Sequence, residues 1–182
     1  MSKTKNVLSK FTKLNLEMPF YTYGQGRVCG FPVMLSRTGY TGELGFEIYG
    51  DSDSIKLIWE ALINDGVDPA GLAARDILRM EMKYCLYGND INENINPLEA
   101  GLGWITALDK VSFIGCTEIK KKQQLGLDKK LVCFRMQERG IARPGYEIFI
   151  DAHKAGFVTS GNHSPLLNAG IGLAYMENLY SK

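Results

Sequence analysis

The stretch LVCFRMQERGIARPGYEIFIDAHKAGFVTSGNHSPLLNAGIGLAY, residues 131–175, decides the fold class of this chain. Its apolar period is two. Val132, Phe134 and Met136 alternate with Cys133, Arg135 and Gln137, and Ile148 and Ile150 alternate with Glu147 and Phe149. Phe157 to Thr159 and Ile171 to Tyr175 are further strand candidates. Turn signals separate them: RPG at 143–145, SGN at 160–162 and NAG at 168–170. Successive strand side chains point to opposite faces, so the pattern predicts several short strands, as in a small barrel or sandwich.

Working back toward the N-terminus, the period changes. Ile55, Ile58, Trp59 and Leu62 follow helical spacing, with Asp51, Ser52 and Asp53 as capping candidates. Residues 71–85 predict a second helix, with Ala73, Ile77, Met80 and Tyr84 as its stripe and Arg75 and Arg79 one turn apart on another face. A short helix is expected over 4–12. Strand signals stand at Phe20 to Tyr23, at Phe31, Val33 and Leu35, and at Phe46 to Tyr49. Pro32 marks an edge or a strand start. NDINENINP, 89–97, reads as an ordered loop, and the lysine-rich stretch 120–130 as a soft boundary.

At roughly 150 residues per domain, 182 residues make one domain or one and a half. The balance of 21 Lys+Arg against 20 Asp+Glu excludes a broad basic field for nucleic acid, though not a local anion pocket. No apolar run reaches the roughly 18 residues of a membrane helix, and the N-terminus reads as no secretory signal. Cys29, Cys85, Cys116 and Cys133 stand alone, without zinc-site spacing. Isolated thiols fit a reducing compartment. They also fit four small hydrophobes or surface thiols.

Four segments invite chemistry. SRTGYTGELGFEI, 36–48, has glycines at every third position and places Tyr40, Glu43 and Glu47 together. A carboxylate accepts paired N–H groups and an aromatic ring stacks, which suits a flat, hydrogen-bond-donating heterocycle. A tight connection between two strands explains the same glycines. GLAARDILRMEMKY, 71–84, offers the Arg75 guanidinium to a ligand carboxylate or to Asp76. TSGNHSP, 159–165, has Ser160, His163 and Ser164, but no GxSxG elbow and no evident Asp partner for a hydrolase; a lone His in a polar turn reads as structural or solvent-exposed. RPGYEI, 143–148, reads as a turn and a strand.

Taken in order, RTGYTGELGFEIY, GLAARDILRMEMKYCLYG, NPLEAGLGW, FIGCTEI, RPGYEI and GFVTSGNHSPLL with IGLAY resemble the aminomethyltransferase family, the T-protein of the glycine cleavage system. The resemblance covers residues 1–176. It implies an α+β fold: part of a folate-binding α/β domain followed by a C-terminal antiparallel β-barrel-like domain. The implied division is 1–100 for the second half of the folate-binding core, 101–130 for a connecting segment and 131–182 for the barrel. Family members are about twice as long. The chain is therefore expected to be a fragment, from a truncated gene or a split protein, with an incomplete barrel.

The resemblance implies transfer of a one-carbon unit from an aminomethyl-lipoyl arm on the H-protein carrier to tetrahydrofolate, with release of ammonia and no metal. By the same resemblance Glu47 binds the pterin-side N–H groups, Tyr40 lines the pocket, Arg75 pairs with the ligand's carboxylate or orients the pocket, and Tyr84 packs beside the folate. The catalytic aspartate is expected in the segment preceding this chain, with Asp76 and Asp109 structural. Leu44 departs from the acidic residue of the GYTGEDG form, and Trp104 is expected to pack. A non-catalytic folate-binding or interaction module of the same superfamily, or part of a folate-dependent demethylase, stays open as an alternative. Partners implied are the lipoylated H-protein and tetrahydrofolate, with self-association through open barrel edges and neither nucleic acid nor membrane. The compartment would be bacterial cytoplasm or mitochondrial matrix.

Overall fold

Apolar residues three and four apart put Ile55, Ile58 and Leu62 on one side of helix α2, Ser52–Asn64. Asp51 caps it: its side chain accepts from the Ser54 N–H at 2.9 Å and from the Ser54 hydroxyl at 2.6 Å. Ile58 is buried, while Ile55 and Leu62 pack against the core it joins. Trp59, counted in the same stripe, is instead 54% exposed. The buried face is narrower than the apolar one.

The structure is a computed structural model that describes residues 3–180. It divides into two compact units, the first ending at Leu78 and the second beginning at Arg79. In the first, helix α1, Lys3–Leu8, and α2 accompany an antiparallel sheet of β1, Tyr23–Val28, β2, Phe31–Ser36, and β3, Glu47–Tyr49, in the order β1-β2-β3. Leu8, Val28, Val33, Leu35 and Ile58 form its core. Pro32 pairs with Arg27 of β1, at a position of β2 that β3 does not reach, so its missing N–H costs the sheet little. The aromatic stretch at Phe20 is a turn; the strand begins only at Tyr23.

Helix α3, Leu72–Glu81, is shorter than its pattern. Lys83 takes φ +59° and breaks the run, so Tyr84 lies outside the helix. The Asn-rich loop is ordered by its own side chains. Asn92 and Asn96 accept the N–H groups of Asn94 and Leu98, each at 2.9 Å. Helix α4, Cys116–Leu125, leads into β4, Lys129–Arg135.

The second sheet runs β4-β7-β6-β5, with β5 Glu147–Ile150, β6 His153–Ser164 and β7 Ala169–Glu177, all antiparallel. Leu131, Ile171, Leu173 and Tyr175 bury one face together with Met80. Helices with an antiparallel sheet, then a larger antiparallel sheet, give the expected α+β organisation. One sequence signal fails here. Ser160–Gly161–Asn162 is not a turn but lies inside β6, and the turn falls at 165–168. A Cβ on Gly161 would stand 1.7 Å from the Ala142 carbonyl oxygen. The glycine serves backbone approach, not reversal.

Candidate functional site

The GYTG segment forms the connection between β2 and β3. Of its glycines, Gly42 takes a positive φ, +78°; Cβ atoms at Gly39 and Gly45 would meet nothing closer than 3.8 Å. Arg37 pins the loop from inside. Its guanidinium donates to the Gly45 carbonyl at 3.1 Å and stacks over Phe20 and Phe46, each 5.5 Å from the ring centroid. The two ends of the loop therefore close on one cation.

Glu47 opens β3 and pairs with Ser36 of β2. The Thr38 hydroxyl donates to Glu47 Oε2 and also bonds Ser36 Oγ at 2.9 Å. Tyr49, two residues on, shares the face of Glu47 because strand side chains alternate. Its phenol is held above the ordinary value by the Glu47 charge, then by burial, then by a hydrogen bond to Glu47. Thr38 and Tyr49 were not among the expected site residues. The period-two rule applied one step beyond Glu47 identifies Tyr49; no local signal identifies Thr38.

The structure brings Tyr40 and Arg75 together. The Arg75 guanidinium carbon lies 4.7 Å from the Tyr40 ring centroid, the geometry of a cation–π contact. Arg75 is exposed on α3, and Tyr40 and Glu47 are half-buried. A flat cation stacked on a phenol, with a carboxylate in the next strand, is an arrangement able to hold a ligand with both a carboxylate and N–H donors. Tyr84 belongs to the second unit, where its N–H donates to the Arg79 carbonyl at 2.8 Å and its own carbonyl accepts from Arg79 Nη1 at 3.0 Å.

That second unit holds a buried ion pair which sequence reading did not anticipate. Arg79 is 1% and Asp90 0% exposed, and they face each other directly. Asp90 Oδ2 also accepts the Leu86 N–H at 3.0 Å; Oδ1 accepts the hydroxyls of Thr159 and, at 2.8 Å, Ser160. Arg79 Nη2 donates to Ser160 Oγ at 2.8 Å, and the Tyr175 hydroxyl donates to the Asp90 carbonyl at 2.9 Å. Ser160 is thereby explained as a core anchor, not a nucleophile. His163 lies on β6 paired with Gly170, not in a turn. Trp104, expected to pack, is 70% exposed.

Among the described residues, no group of three or more His, Cys, Asp and Glu side chains is placed to hold a metal ion, and no helix is long and apolar enough to cross a membrane.

The sequence model of the GCVT N-terminal domain matches residues 2–110, and that of the glycine cleavage T-protein C-terminal barrel domain matches 129–182. An aminomethyltransferase of Halothermothrix orenii is 49% identical over 179 residues, covering 96% of this chain and 50% of the relative. That of Flavobacterium psychrophilum is 46% identical, covering 98% and 51%. The crystal structure of the glycine cleavage system aminomethyltransferase T from Bartonella henselae superposes with a TM-score of 0.88 at 30% identity, over 96% of this chain and 49% of that one. The chain thus spans about half the length of these relatives. With both sequence models matched and relatives of this identity along nearly all its length, the protein belongs to the glycine cleavage T-protein family.

Proposed function

We propose that this chain carries part of a tetrahydrofolate site and serves the aminomethyltransferase reaction of the glycine cleavage system. In that reaction a one-carbon unit passes from an aminomethyl-lipoyl group on the H-protein to tetrahydrofolate, and ammonia leaves. The observation that carries the reading is the Arg75–Tyr40 stack at 4.7 Å, in the unit that also holds Glu47. The guanidinium suits the ligand's glutamate carboxylate, the Glu47 carboxylate suits the pterin N–H groups, and Tyr40 suits its flat face. The catalytic work left to such a site is orientation: folate's nucleophilic nitrogen must meet the methylene carbon. An aspartate assisting ammonia departure is not assigned to this chain. Residues 1–100 would form the folate-binding half and 131–182 the barrel, joined by 101–130. Strands β4 and β5, at the sheet's two edges, would be the route of any self-association.

The test is anaerobic calorimetric titration of the 182-residue chain with tetrahydrofolate. Saturable binding is expected, and Glu47→Gln should weaken it about 10- to 100-fold, the range for losing a charged hydrogen-bond acceptor. An unchanged affinity in Glu47→Gln would show that the pocket is assigned wrongly.

A further inference from the structure

The second unit also contains a basic pocket that the folate reading leaves unused. It is built on glycines. A Cβ at Gly170 would lie 2.1 Å from the Gly140 carbonyl oxygen, and one at Gly161 would lie 1.7 Å from that of Ala142. The segment leaving β4 therefore lies directly against β6 and β7, held also by the Met136 N–H donating to the Gly170 carbonyl at 2.8 Å. Beside it opens a cavity of about 490 Å³ lined by Arg135, Glu138, Arg139, His163 and Asn168.

Two guanidiniums and an imidazole face this space against one carboxylate. Arg135 is oriented by its Nη2 donating to the Leu167 carbonyl at 3.1 Å, across the β6–β7 turn. Among the described residues, the side chains of Arg139, Glu138 and His163 make no hydrogen bond or ion pair. A concave space of this volume suits a small metabolite, and a guanidinium suits an oxyanion, which it can bind through parallel N–H donors. We propose that this pocket binds a small metabolite through its phosphate or carboxylate group, with Arg135 and Arg139 as the recognising residues. The site lies wholly within the second unit and is independent of the Glu47 and Arg75 assignment.

The experiment is calorimetric titration of the whole chain with inorganic pyrophosphate and, separately, with citrate at low ionic strength. Saturable one-to-one binding of at least one is expected. Pyrophosphate alone would identify a phosphate ligand, citrate alone a carboxylate, and both would support the shared oxyanion chemistry. Arg139→Gln should weaken binding about tenfold and Glu138→Gln should tighten it. Lys110→Gln, which removes the same charge outside the pocket, should leave it unchanged. Should Arg135→Gln disturb the turn it holds, Arg139→Gln carries the test, with circular dichroism verifying its fold. No saturable binding of either anion, or equal losses in Arg139→Gln and Lys110→Gln, would overturn the proposal.

Discussion

The Thr38 hydroxyl bonds to Glu47, and the Tyr49 phenol, two residues along the same strand, reports on the Glu47 charge. Negative charge beside a phenol opposes its ionisation, so Tyr49 titrates above its ordinary value of 10.0. Glu47→Gln removes the largest cause and should move the Tyr49 titration back toward 10.0. An ultraviolet difference titration against Tyr49→Phe isolates this one phenol among nine tyrosines. A Tyr49 titration unmoved by Glu47→Gln would mean that the carboxylate does not face the phenol in solution. Tyr40, Glu47 and Arg75 were legible as candidates because each brings a side chain suited to the proposed ligand. Their mutual placement was not, because a stack between residues 35 positions apart depends on how the first unit folds.

At the level of the element, α2 was legible down to its cap. Asp51 accepts both the N–H and the hydroxyl of Ser54, and these bonds hold its carboxyl below the ordinary value of 3.8. A carboxyl lowered by folding contributes stability that is complete above 3.8 and fades as pH falls through the lower folded value. Acid titration of the melting temperature should therefore bring wild type and Asp51→Ala together at the lowest pH, with wild type ahead at neutrality. A gap that widens on acidification would refute the capping role. In β6 the sequence signal is ambiguous because glycine serves both chain reversal and close backbone approach, and Gly161 does the second. Gly161→Ala puts a methyl where the Ala142 oxygen stands, and should cost at least about 1–3 kcal/mol in urea unfolding. A neutral result would mean that the loop does not rest on the strand.

For the molecule as a whole, the buried Arg79–Asp90 pair ties the end of α3, the loop after it and strand β6 within the second unit. Among the described residues no buried side-chain polar atom lacks a hydrogen-bond partner, so the pair is fully compensated. Asp90→Asn leaves the Arg79 charge buried without its counter-charge. The expected loss is about 3–5 kcal/mol, read from denaturant unfolding. A loss below about 1 kcal/mol would mean that water reaches Arg79 and that the pair is not the anchor of this unit. This network escaped sequence reading because its members stand 11, 69 and 70 residues apart. Asp90 looked like one more polar residue in an Asn-rich loop.

The amino-acid sequence by itself determined the α+β order of elements, the caps and periods of α2 and the last strands, and the family. These depend on local spacing and on motifs that occur in order. Tertiary structure alone decided which apolar stripe residues are buried, leaving Trp59 outside, and where α3 stops. It also decided that Ser160 anchors a buried arginine, and which basic side chains converge on one pocket. Those outcomes depend on contacts between distant positions, where close backbone approach and charge compensation leave no periodic trace in the chain.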